Sequence, residues 1–214
     1  MTREEFKKII DICSNQEEVR DAVKKNHDNN LWWPLEVEDY RKRLLIAGLS
    51  TRISYNMIDS YRKVINDLNS YTYDEIKTLS NDELIKLIAD NVSGASYKVA
   101  QCCVLYIRGY YSGIMPVDSG MKDVELPCLG FEQYKNALGH DILRKELEAL
   151  VKNNNMEEII KQNGYEELKV ENYDNATWFC HLVLIYYKRF FCNKHNPENC
   201  PLRDCVEVKC KCRK

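Results

Sequence analysis

Half of the ten cysteines fall in the last 23 residues of the chain: Cys192, Cys200, Cys205, Cys210 and Cys212, spaced C-x7-C-x4-C-x4-C-x-C. A thiolate is a soft anionic donor, and several converging from a loop-rich segment are what an iron–sulfur cluster or a structural Zn²⁺ requires. Structural zinc sites favour paired C-x2-C knuckles. The tail has none, so its spacing favours a [4Fe–4S] cluster, with Zn²⁺ as the alternative. Cys192, Cys200 and Cys205 are the first candidate ligands, and Cys210 and Cys212 compete for the fourth place. Unligated surface thiols at this density would be open to oxidation. Cys13, Cys102, Cys103, Cys128 and Cys180 are instead scattered among apolar positions and read as core.

The scaffold that must position these ligands is expected to be all-α. A chain of 214 residues, 44% hydrophobic and 30% charged, has material for one large domain or two closely packed lobes. Only 8 Gly and 5 Pro leave little room for the turns of a sandwich or barrel. The N-terminal stretch MTREEFKKII is charged, and no apolar run approaches the roughly 18 residues of a membrane span. A cytoplasmic protein with no membrane partner is expected, and metal ligation or buried thiols are favoured over a disulfide framework. The net charge of −2 gives no bulk argument for nucleic acid. The tail from Lys188 onward is nevertheless basic, with eight Lys or Arg against three acids.

Periodicity predicts a helical or broken-helical pattern over residues 2–25, a polar loop over 26–30, and helices over 36–49, 54–68 and 74–89. Ser80 is a candidate N-cap within the last of these. After the break at Ser93-Gly94-Ala95-Ser96, Val99, Cys102, Cys103, Tyr106 and Tyr110 recur at helical spacing. Residues 113–130 read as the longest irregular stretch, where function tends to sit. Helices follow over 141–152, 156–163 and 175–191, the last apolar nearly all round. Trp32, Trp33 and Trp178 read as core.

That last helix, running from His181 through Leu182-Val183-Leu184-Ile185-Tyr186-Tyr187 to Cys192 and followed by the cysteine loop, resembles the end of the endonuclease III family, within the helix-hairpin-helix superfamily of DNA glycosylases. The family's cluster pattern is C-x6-C-x2-C-x5-C, so the first spacing nearly matches and the second is longer here. Leu44-Leu45-Ile46-Ala47-Gly48-Leu49-Ser50-Thr51-Arg52 resembles the family's L-L-I-A-x-x-L-S-x-Q, with Arg52 in place of the glutamine that reaches into DNA near the flipped base. Ser93-Gly94-Ala95-Ser96-Tyr97-Lys98-Val99-Ala100 resembles the hairpin P-G-V-G-x-K-x-A, which puts Lys98 in the place of the lyase lysine and Gly94 and Ser96 at the phosphate. Pro116-Val117-Asp118-Ser119-Gly120-Met121 resembles P-V-D-x-H-M, with Asp118 as the catalytic aspartate. The chain departs from these motifs at Ser93, Ser96 and Gly120, and the stretch between Arg52 and Lys98 is shorter than this register expects. A rival register makes Leu126-Pro127-Cys128-Leu129-Gly130 the hairpin, puts Glu132 in the lysine position, and leaves the chain catalytically silent.

The resemblance implies a helix-hairpin-helix glycosylase-like fold of two helical lobes. Residues 1–191 would form the helical domain, its N-terminal helix packing with the C-terminal lobe, and residues 192–214 the cluster loop. It implies base-excision repair, with AP-lyase activity, on double-stranded DNA with a flipped base, by a monomer. A lysine amine can attack the sugar C1′ and form a Schiff base while a carboxylate stabilises the cationic sugar. Glycine-hairpin N–H groups can hold the phosphate of the flipped nucleotide. Lys194 and Lys211 are candidate phosphate contacts. A noncatalytic nucleic-acid-binding protein that keeps fold and cluster is the second reading, and an iron–sulfur electron carrier the third.

Overall fold

The computed structural model describes residues 1–29, 37–40, 42–43, 46–47, 62–63, 66, 72–91, 95–168, 170, 172–192 and 199–203. Among these every regular element is helical, as expected of an all-α chain. Arg3–Ser14 (α1) starts at a capping box in which Glu5 N–H donates to Thr2 Oγ1 and Thr2 N–H to Glu5 Oε2. Its apolar face buries Phe6, Ile9, Ile10 and Cys13. Glu17–Asn29 (α2) runs through part of the polar stretch expected to be a loop. The physical reason is Asn26, which is fully buried and donates from Nδ2 to Tyr186 Oη at 3.2 Å, tying this stretch to the core.

The helix expected over 74–89 is two helices, Tyr73–Thr78 (α3) and Asn81–Asn91 (α4). Ser80 caps the second reciprocally with Glu83. Tyr97–Arg108 (α5) follows, packs against α4 and ends where Gly109 takes φ of 96°. Gly139–Val151 (α6), Glu157–Gln162 (α7) and Thr177–Tyr187 (α8) follow. Every residue of α8 is buried, against α1, α2 and α6. Three hydrogen bonds tie α1 to the end of α7: Asn163 Nδ2 donates to Asp11 Oδ1 and Ser14 Oγ, at 2.9 and 2.8 Å, and Tyr165 Oη to the Ser14 carbonyl at 2.7 Å.

Residues 113–130 are not irregular throughout. Met121–Glu125 is a π turn and Leu126–Cys128 continues it as one α turn, with Leu126 N–H on the Met121 carbonyl. Pro127 has no N–H for the turn behind it, and a helix can run through a proline where the ladder is already widened to π spacing. Lys188–Cys192, at the end of α8, is a second π turn and packs against the first. No helix among the described residues is long and apolar enough to cross a membrane.

Candidate active site

The segment leading to Asp118 is held by three side chains from two helices. Gln101 Oε1 on α5 accepts from Val117 N–H at 3.0 Å, Glu148 Oε1 on α6 accepts from Met115 N–H at 3.0 Å, and His140 Nδ1 lies 2.7 Å from the Val117 carbonyl. Extended chain has no ladder of its own, so a buried segment must find side-chain partners in this way. Glu148 is itself gripped by Arg144, which is 1% exposed and also pairs with Asp141 and Asp82. The network thus runs from α4 through α6 to the Asp118 segment.

Asp118 then caps the turn it precedes: its Oδ1 accepts from Met121 N–H at 2.7 Å, and its carbonyl from Lys122 N–H at 2.9 Å. Its Oδ2 pairs with Lys188 Nζ, from the π turn at the end of α8. The Asp118 side chain is about one third exposed, at 32%, while that of Lys188 is 4% exposed. Burial pushes the Asp118 carboxyl up, but the Lys188 charge and hydrogen bond, the Met121 N–H and the Lys98 charge outweigh it, so it lies below its ordinary value. Glu125, seven residues on, is fully buried and neither carboxylate oxygen has a hydrogen-bond partner among the described residues. Burial first, then Asp118 and Cys128, raise its acid well above the ordinary value against the pull of Lys188. Two neighbouring carboxyls are thereby driven apart, the pattern of an acid and a base at one site.

Lys98 is the second residue of α5, half-buried, with no acid in the first turn to balance it. A cation there faces the positive end of the helix dipole, a placement that helix stability alone disfavours. Among the described residues it forms no ion pair, yet its charge is felt at Asp118, Cys102 and His140. Lys98 and Asp118 therefore belong to one electrostatic neighbourhood without touching. Ser96 is the N-cap of α5 and uses its carbonyl, which accepts from Val99 and Ala100 N–H, rather than its side chain. Two histidines complete the surroundings. Burial pushes His181 down to about 3 and His140 below its ordinary value, so both are neutral at physiological pH.

The rival hairpin does not form at residues 126–130. Phe131 N–H bonds to the Leu126 carbonyl at 3.0 Å and Gly130 N–H to that of Pro127 at 3.3 Å, with Gly130 at φ of 94°. This is the Schellman end of a helix, and the next helix begins only at Gly139. Glu132 is exposed, bonded by Tyr134 Oη at 3.1 Å.

Of the tail thiols, Cys192 ends the second π turn and Cys200 is buried, its Sγ 3.2 Å from Tyr187 Oη. Both exert charge on the buried Cys13 of α1, so the two approach one region of the core. Among the described residues no three ligand-type side chains converge on a metal position. Cys205, Cys210, Cys212, Arg52, Gly94, Lys194 and Lys211 lie outside the described residues, as do Trp32, Trp33, part of 36–49 and most of 54–68; within 36–49, residues 40, 42–43 and 46–47 are helical, as expected. Cys13, Cys103 and Cys180 are buried free thiols, as their apolar settings suggest, while Cys102 and Cys128 are half-buried. Trp178 is buried, stacked on Tyr110 with centroids 4.4 Å apart.

Sequence reasoning missed Lys188, which it counted with the basic tail, and Glu125, Gln101, His140 and Arg144. Lys188, Gln101 and His140 act across more sequence than a local motif spans, and Arg144 does so through Asp82. No protein-family model matches the chain, and no curated protein or solved structure shows significant similarity to it.

Proposed function

We propose that the chain is a DNA base-excision glycosylase with AP-lyase activity, acting through Lys98 and Asp118 on a damaged or modified base in duplex DNA. The observation that supports it is the shared neighbourhood of Lys98, in the first turn of α5, and the ionised Asp118 on a segment pinned from α5 and α6. Duplex DNA must first give up the base, because the sugar C1′ is otherwise shielded in the stack. The Lys98 nitrogen then bonds to C1′ as the bond from C1′ to the base breaks, and the base leaves with the electron pair and takes up a proton. Asp118 stabilises the positive charge that develops on the sugar and helps draw the proton from the amine. Ring opening of the adduct gives the Schiff base from which strand cleavage proceeds. In this reading Cys192, Cys200 and Cys205, with Cys210 or Cys212, would hold a [4Fe–4S] cluster, and Zn²⁺ is the alternative. Such a cluster pins the loop covalently.

Asp118 is engaged by Lys188 and not by Lys98. That contact favours, as a second reading, a noncatalytic DNA-binding protein. Borohydride reduction on duplex DNA carrying an abasic site separates the two: a covalent adduct supports the lyase, and binding without an adduct supports the second reading.

A further inference from the structure

The Asp118 motif carries glycine at position 120, and the structure gives that glycine a neighbour. Gly120 has ordinary helical dihedrals, φ −68° and ψ −36°, so no backbone conformation demands glycine there. A Cβ on it would lie 3.0 Å from Cδ, 3.1 Å from Nζ and 3.2 Å from Cε of Lys188. The lysine side chain therefore lies across the face of Gly120 on its way to Asp118. A buried ammonium is costly unless it is paired, and Asp118 supplies the pair.

We propose that Lys188 is the positioning residue of the Asp118 carboxylate, reaching it through the space that Gly120 leaves open. Lys188 comes from the end of α8 and engages Oδ2 while the Met121 N–H holds Oδ1, so the two fix both carboxylate oxygens. The groups that face Asp118 are Lys98 and Cys102 from α5, Lys188 and His181 from α8 and the turn after it, and Glu125 from its own turn. Lys188 is the one that touches it. What the positioned carboxylate does for DNA rests on the glycosylase reading; the contact itself does not.

The test is the titration of the Asp118 carboxyl carbon by NMR in protein labelled at aspartate, assigned with Asp118→Asn. In the wild type it titrates below the ordinary carboxylate range. Lys188→Met removes the charge, and Gly120→Val blocks its path while leaving the charge on the chain. Each should move the midpoint up by about 1–3 pH units, the span an adjacent cation imposes. An unchanged midpoint in either folded variant overturns the proposal, and Gly120→Val decides alone if Lys188→Met does not fold. Abasic-site trapping by the wild type is scored separately. Failure of the glycosylase reading would remove trapping and leave the titration shift, whereas failure of this proposal would do the reverse.

Discussion

Tyr187 Oη and Cys200 Sγ lie 3.2 Å apart in the core, joining the fully buried helix α8 to the cysteine tail. Burial first, then the Cys13 and Cys200 thiols, hold the Tyr187 phenol in its neutral form, with a hydroxyl to share. Tyr187→Phe should cost about 0.5–1.5 kcal/mol of stability by urea unfolding, the net worth of one hydrogen bond. Cys200→Ser tests the tail itself. If the thiols hold a cluster, anaerobically prepared wild type is yellow-brown with about four iron atoms per chain, and the variant loses both colour and iron. Stoichiometric zinc without iron in the wild type would contradict the cluster.

Arg144 is the hub between α4, α6 and the Asp118 segment. Removing it as Arg144→Met leaves the largely buried Glu148 without its cation and Asp141 with only the half-exposed Lys145, at 3.0 Å. Breaking one side of such a network costs about 3–5 kcal/mol. Asp82 is half-exposed and contributes little of this. The expected result is a large fall in the urea midpoint and faster hydrogen exchange at Met115 and Val117. A midpoint within error of wild type would mean that the network does not support the segment.

Glu125 predicts a pH dependence. Its folded-state acid is raised well above the ordinary value, so on folding it holds a proton that the unfolded chain releases. Stability from this group is fully present below the ordinary glutamate range and falls as pH rises toward the folded value. Asp118, whose acid is lowered, works in the opposite sense, losing stability on acidification. Glu125→Gln isolates the first effect: it should be stabilising relative to wild type at about pH 8 and near neutral at about pH 4, where both states of the wild type are protonated. An equal difference at both values would show that Glu125 is ionised in the fold.

Local rules reached the elements and the Asp118 turn but not the contacts that tune them. Ser80 and Glu83 sit three apart, so their capping box is legible in the sequence, and the apolar run of α8 announces a buried helix. Pro127 looks like a breaker, yet the π turn before it removes the need for its N–H. Lys188 lies 70 residues from Asp118, beside a basic tail, and nothing local separates it from a solvated lysine. Its partner becomes visible only when the two π turns meet. Glu125 likewise falls between Val124, which is exposed, and Leu126, which is fully buried, so alternation alone does not say which way it faces.

The proposed lyase reaction depends on the Lys98 amine. Wild type, Lys98→Ala and Asp118→Asn are to be mixed with duplex DNA carrying one abasic site, reduced with borohydride, and resolved for covalent adduct, with binding measured in parallel. The wild type should give an adduct and Lys98→Ala none, with binding nearly unchanged. Asp118→Asn should form it about 100-fold or more slowly, the order of loss when a group that stabilises developing charge is removed. An adduct that survives Lys98→Ala, or a wild type that binds the DNA and forms none, would contradict the account.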